Sequence, residues 1–153
     1  MSERTIRMLF ICTGNSARSQ MAEGLARAMG KGRIESYSAG TDPKPVHPLA
    51  AKVMADIGID ISRQTSKGMD QFLHQEFDYV ISVCERATQT CPVWPKSKEQ
   101  IRWSFDDPSQ AEGSEEERLR VFRRVRNEIQ QRINLALLAA KVHVEPAATR
   151  RAR

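Results

Sequence analysis

The chain has 153 residues, 40% of them apolar and 28% charged, with a formal net charge of +5 and three cysteines. This is the make-up of one globular domain with a core large enough to need no staples, and it argues against a structural disulfide framework or a membrane span. Lys141, Arg150, Arg151 and Arg153 against Glu145 carry +3 of the charge, so the body is near +2 and has no aromatic-interleaved basic stripe for nucleic acid.

Residues 1–141 read as a single domain and 142–153 as a flexible basic tail. The opening Met1-Ser2-Glu3-Arg4 lacks an apolar signal core, so a cytoplasmic protein is expected. Ile6 to Ile11 is a short bounded apolar run, the pattern of a buried parallel strand. The segment Cys12-Thr13-Gly14-Asn15-Ser16-Ala17-Arg18-Ser19 follows, and then Met21, Leu25 and Met29 recur at helical spacing. Arg33 to Ala39 reads as a second strand ended by Gly40, and Pro43 and Pro45 make the next segment a loop. His47 to Ile57 has a helical face of Leu49, Val53, Met54 and Ile57, with Gly58 at its end. Phe77 to Val83 is a strand, and Gln100 to Phe105 a fourth, before the turn Asp106-Asp107-Pro108. Ser114 with Glu117 forms a capping box for a last helix whose face is Phe122, Val125, Ile129, Ile133, Ala136 and Ala140. Pro146 prevents an unbroken continuation into the tail. Alternating strands and helices predict an α/β sandwich with a parallel sheet, and the loop after the first strand falls at the carboxyl edge where such sheets bind ligands.

A strand–loop–helix unit aims loop N–H groups and a helix N-terminus at one point, which suits an oxyanion. A cysteine there, with Arg18 folded over the same anion, is expected to ionise to a thiolate nucleophile. The other reading of Cys12, a buried core cysteine at a strand end, does not account for Gly14, Asn15, Ser16 and Arg18. Cys84 directly follows the third strand, so a parallel sheet brings it to the same edge as Cys12. Cys91 comes seven residues later, ahead of Pro92. A helix between them would separate the Cα atoms by about 10.5 Å, beyond the roughly 7 Å that a disulfide spans. An 84–91 bond therefore requires that segment to unwind. Zinc binding with His47 or His74, and simple burial of both cysteines, remain open readings, although the spacing is poor for a metal site. His47, His74 and His143 are read as structural or surface residues, and Trp94 as either a partner contact or a packing residue.

The loop from Cys12 to Gly24 resembles that of the low-molecular-weight tyrosine phosphatase superfamily, and within it the thioredoxin-coupled arsenate reductases. Tyr37-Ser38-Ala39-Gly40, Gly58-Ile59-Asp60-Ile61-Ser62, Cys84 with Cys91-Pro92, and Trp103-Ser104-Phe105-Asp106-Asp107-Pro108 are similar too. The resemblance runs from about residue 6 to about residue 135 and implies a three-layer α/β sandwich with a four-stranded parallel sheet. It implies that arsenate, with phosphate or sulfate as competing oxyanions, sits on Thr13 to Ser19 and Arg18, and that Cys12 attacks the arsenic. Asp107 is the implied general acid, where by itself an Asp-Pro pair reads as a turn. Cys84 would release arsenite by forming a 12–84 disulfide, and Cys91 would pass the oxidation to an 84–91 disulfide. Thioredoxin would reduce that bond, with no bound cofactor, and a monomer is expected.

Two departures stand out. Ala17 occupies a position where some relatives have another cysteine. Some members bind potassium through residues matching Asn15, Glu23, Ser38 and Thr65 plus an aspartate, and Lys67 stands in the aspartate's place. The expectation is that the Lys67 ammonium takes over the ion's charge; an exposed surface lysine is the alternative. Three other functions are weighed. A phosphatase, for which weak side activity is expected anyway, leaves Cys84 and Cys91 unexplained and lacks an aromatic after Pro108, where Ser109 and Gln110 follow. A small-thiol, glutaredoxin-type route does not need both later cysteines. An oxyanion sensor or DNA-binding module lacks any reading motif.

Overall fold

The computed structural model describes residues 5–85, 94 and 96–139. Four strands, β1 (Ile6–Cys12), β2 (Ile34–Gly40), β3 (Phe77–Ser82) and β4 (Ser97–Arg102), form one sheet in the order β2-β1-β3-β4. Every pairing is parallel. Leu9, Phe10 and Ile11 are fully buried in succession, so both faces of the central strand are covered, as crossover helices require. Helix α1 (Arg18–Gly30) packs on β1 and β2, and α2 (Pro48–Ala55) and α3 (Glu115–Ala139) pack on α1 and on each other. The fold is the expected α/β sandwich built on a four-stranded parallel sheet.

The elements follow the sequence pattern with shifts at their ends. Met21, Leu25 and Met29 of α1 are fully buried. Along α3, Phe122, Val125, Ile129 and Ile133 are fully buried, and Ala136 packs against the same core. The capping box is formed in both directions, with Glu117 N–H on Ser114 Oγ at 3.1 Å and Ser114 N–H on Glu117 Oε1 at 2.9 Å. Ala140, Pro146, His143 and the basic tail lie outside the described residues.

The largest correction is β4, which lies three residues earlier than Gln100–Phe105. Its residues Lys98, Glu99 and Gln100 are exposed because it is an edge strand with one neighbour, and their polarity hides it from a search for apolar runs. The apolar Trp103 and Phe105 follow it as a loop that still hydrogen-bonds to Ser82 and Val83. The second helix is shorter than His47–Ile57. His47 is its cap rather than its first residue, accepting the Leu49 N–H on Nδ1 at 3.1 Å, and Pro48 takes the first turn, where a missing N–H costs nothing. Trp94 is a packing residue, buried with its indole N–H on the Phe72 carbonyl at 3.2 Å, and His74 is exposed.

His47 also stacks on Phe122, with ring centroids 4.8 Å apart. Burial and the nearby Arg118 hold its pKa below the usual value, against the pull of Asp107. A histidine with a lowered folded pKa stabilises the fold fully above its unfolded pKa, and that contribution drains as pH falls through the folded value. Urea titrations of the wild type should therefore lose stability from about pH 6.5 downward. His47→Asn, which keeps a cap acceptor without titrating, should flatten that slope.

Candidate active site

The sheet edge at the C-terminal ends of β1 and β3 carries the loop from Cys12 to Ala17. Its shape is set by where its carbonyls go. Thr41 N–H bonds the Cys12 carbonyl at 3.2 Å, Asp42 N–H that of Thr13 at 2.8 Å, Lys44 N–H that of Gly14 at 2.8 Å, and His47 N–H that of Ser16 at 2.9 Å. Gln20 Nε2 takes the Asn15 carbonyl at 2.9 Å. In a trans peptide the N–H points opposite to the carbonyl it follows, so carbonyls drawn to these donors turn the amides of residues 13 to 17 away from them. Such a run of convergent amides is an anion nest. Gly40 permits the clamp: a Cβ there would lie 2.6 Å from the Thr13 carbonyl and 2.9 Å from the Asn15 nitrogen.

Asn15 stands at φ 47, in the left-handed region, where asparagine is tolerated at some cost. Its buried side chain is held at every polar atom. Nδ2 donates to Ser19 Oγ at 2.8 Å and Ser38 Oγ at 2.9 Å, and Oδ1 accepts the Lys67 N–H at 2.8 Å. Ser16 Oγ ties the loop to the Pro45 carbonyl at 2.9 Å, and Ser66 Oγ to that of Gly14 at 3.2 Å.

Arg18 opens α1 and turns back over the loop. One guanidinium nitrogen donates to the Phe105 carbonyl at 3.0 Å, and another lies 3.5 Å from Asp107 Oδ2. Its Nε is buried with no hydrogen-bond partner. A buried guanidinium donor left over is a strong reason to expect an anion beside it. Asp107 holds the expected turn and faces the arginine at once. Its Oδ1 caps the short 3-10 turn Pro108–Gln110 by accepting from Ser109 N–H at 3.0 Å and Ser109 Oγ at 2.7 Å, while Oδ2 faces Arg18. These groups line one cleft of about 880 Å³ together with Cys12, Cys84 and Lys44.

Cys84 is buried at the mouth of β3 and lines the same cleft as Cys12, with its Sγ 3.4 Å from Thr13 Oγ1. The topological expectation for the pair is met, and both are free thiols. Cys84 and burial push the Cys12 thiol above its ordinary value, against Arg18 and the Thr13 N–H, which favour the expected anion. Cys91 lies outside the described residues.

The potassium set does not fit a bound cation here. Lys67 Nζ sits 3.8 Å from Glu23 Oε1 and donates to the Thr65 carbonyl, so an ammonium already occupies the space among these oxygens. Lys67 is half-buried rather than a surface lysine. Among the described residues, no cluster of three or more His, Cys, Asp or Glu side chains could hold a metal.

Sequence reasoning missed the residues that hold the loop from outside. Lys44, Ser66 and the Phe105 carbonyl act through contacts between distant segments, and Gln20 reaches back five residues to Asn15. Gly40 did carry a local signal, a glycine at the end of a strand beside the active edge.

The parallel sheet, the amide-lined loop after its first strand and the covering arginine define a phosphatase-type oxyanion site. The model of the low-molecular-weight phosphotyrosine protein phosphatase family matches residues 7–146, and the chain belongs to that family. It is 52% identical over 124 residues, 81% of this chain and 89% of the relative, to the arsenate reductase of Halalkalibacterium halodurans. A solved arsenate reductase in a phosphate-binding state superposes with a TM-score of 0.77 at 37% identity, covering 90% of this chain and 99% of that one. The thioredoxin-dependent arsenate reductase of Corynebacterium glutamicum superposes with a TM-score of 0.63 at 26% identity, covering 89% of this chain and 65% of that one.

Replacing Arg18 by lysine keeps the charge but removes the planar fork and the Nε donor. Phosphate binding, measured by calorimetry, should weaken by about 2 kcal/mol, roughly 30-fold, with little change in melting temperature.

Proposed function

We propose that the protein is a cytoplasmic, monomeric arsenate reductase of the thioredoxin-coupled kind, with phosphate and sulfate competing for the same loop. The observation that carries this reading is that Cys84 lines the same cleft as Cys12, at the end of the adjacent parallel strand. A phosphatase needs one sulfur to accept and return a phosphoryl group. A second thiol in the same cleft lets the pair supply, by forming a disulfide, the two electrons that reduction takes. The likeness to named arsenate reductases supports the same choice.

Arsenate enters as an anion between the loop amides and Arg18, where donors are already oriented and need no reorganisation. One of its oxygens takes the Cys12 proton. A sulfur–arsenic bond forms at Cys12, and one arsenic oxygen leaves as water with a proton from Asp107. Cys84 gives its proton to an oxygen of the adduct and, as thiolate, attacks the Cys12 sulfur. The sulfur–arsenic bond breaks with its electron pair left on arsenic, which departs as arsenite, and a 12–84 disulfide remains. Two thiols have lost two electrons and As(V) has gained them. Cys91 attacks Cys84, frees Cys12 and leaves an 84–91 disulfide, which a dithiol such as thioredoxin reduces by exchange. Thr13 Oγ1 is placed to donate to Cys84 as it ionises.

Free-thiol titration and disulfide mapping, before and after arsenate and with phosphate as control, test the relay. Three thiols should fall to one with an 84–91 bond, Cys91→Ser should stop at 12–84, and Cys84→Ser should yield no arsenite while retaining weak hydrolysis of a small aryl phosphate. Survival of all three thiols in the wild type would reject reduction and leave a phosphatase.

A further inference from the structure

The polar layer beneath the loop does work that the relay does not use. Glu23 is buried on α1 and carries a cation on each oxygen. Oε2 accepts from Arg27 at 2.5 Å, while Oε1 accepts from Ser38 Oγ at 2.5 Å and lies 3.8 Å from Lys67 Nζ. Ser38 gives its only proton to Glu23 and so must accept from Asn15 Nδ2. That direction fixes the amide of Asn15 the right way round, with Oδ1 left for the Lys67 N–H. Lys67 therefore grips the strained loop residue twice, through its backbone and, by way of Glu23 and Ser38, through its ammonium.

We propose that Lys67 is a positioning residue for the oxyanion loop, its ammonium serving as a covalently tethered cation that orders the Glu23–Ser38–Asn15 chain and leaves the loop independent of any dissolved monovalent ion. The chemistry agrees at each partner. The ammonium donates to the Thr65 carbonyl, which also accepts from Gln20 Nε2 at 3.0 Å, and Gln20 in turn holds the Asn15 carbonyl. Burial lowers the Lys67 pKa, partly offset by Glu23, so the charge is held at a desolvation cost that an incidental surface lysine would not bear. Arg27 cannot replace it, because it binds the other carboxylate oxygen and is half exposed. A shallow cleft of about 320 Å³, lined by Glu23, Thr65 and Lys67 among others, connects the site to solvent and would admit a small ion if the ammonium were removed. The inference rests on the loop being an oxyanion site, but not on the redox relay.

Calorimetric titration with inorganic phosphate and thermal melting test it in potassium chloride and in tetramethylammonium chloride at equal ionic strength. Wild type should give the same dissociation constant and melting temperature in both salts. Lys67→Met should bind phosphate about three- to tenfold more weakly in either salt, and Lys67→Arg should restore most of that loss. Lys67→Asp, which exchanges the ammonium for a carboxylate, should bind weakly with the large cation and recover in potassium chloride. A wild type whose phosphate affinity rises with potassium, or a Lys67→Met protein that binds phosphate normally, overturns the proposal. If Lys67→Met does not fold, the wild-type salt comparison and the Lys67→Asp pair decide alone, and Lys67→Asp with no potassium response counts against it. Since phosphate binding involves no thiol chemistry, failure of the reductase reading would leave these outcomes intact.

Discussion

Everything at the active edge depends on five loop carbonyls being bonded from outside the nest. Residues 41 to 47 draw four of them outward, and Gln20 draws the fifth. An amide can face an anion only if the carbonyl on the same peptide has found a donor elsewhere. The sheet supplies the anchor, since Cys12 is still a strand residue paired with Gly40 of β2. Loop and clamp therefore start from neighbouring positions of two adjacent strands. The close approach of Gly40 to Thr13 and Asn15 is the steric counterpart of the same constraint.

The cationic group over that frame is not satisfied entirely within the protein. Arg18 is steered by the Phe105 carbonyl and Asp107, yet retains a buried Nε without a partner. Cys12 is favoured as an anion by Arg18 and disfavoured by burial and by Cys84. The site thus has a surplus buried donor, and the oxyanion proposed for the loop would supply its partner.

How much of this could be read in the chain differs by element. Long apolar stripes such as Phe122 to Ile133, and the reciprocal cap of Ser114 and Glu117, were legible because the local pattern is enough to specify them. The proximity of Cys84 to Cys12 was legible from topology, since consecutive parallel strands end on one edge. The position of β4 was not, because an edge strand with a solvated face has charged residues where a central strand has apolar ones. Nor was the upward push on the Cys12 thiol, which comes from Cys84 and from burial once the chain is folded. The double grip of Lys67 on Asn15 spans 52 residues of sequence and becomes visible only when the fold brings them together.

The pairing of β1 with β3 has a kinetic consequence. Ile11 lies opposite Ser82, and Val83 N–H bonds the Ile11 carbonyl at 2.9 Å, so Cys12 and Cys84 leave adjacent parallel strands within a residue of each other. Neighbouring strands run about 4.8 Å apart, inside the Cα range that a disulfide bridges, so closure between them needs little backbone movement. The local concentration of the Cys84 sulfur at Cys12 is then far above that of any dissolved thiol, as for well-oriented intramolecular pairs. In the proposed relay, a small thiol in solution would seldom intercept the arsenic adduct. The order of bond formation is then enforced by the spacing of the sheet, with no gate needed to keep outside thiols away.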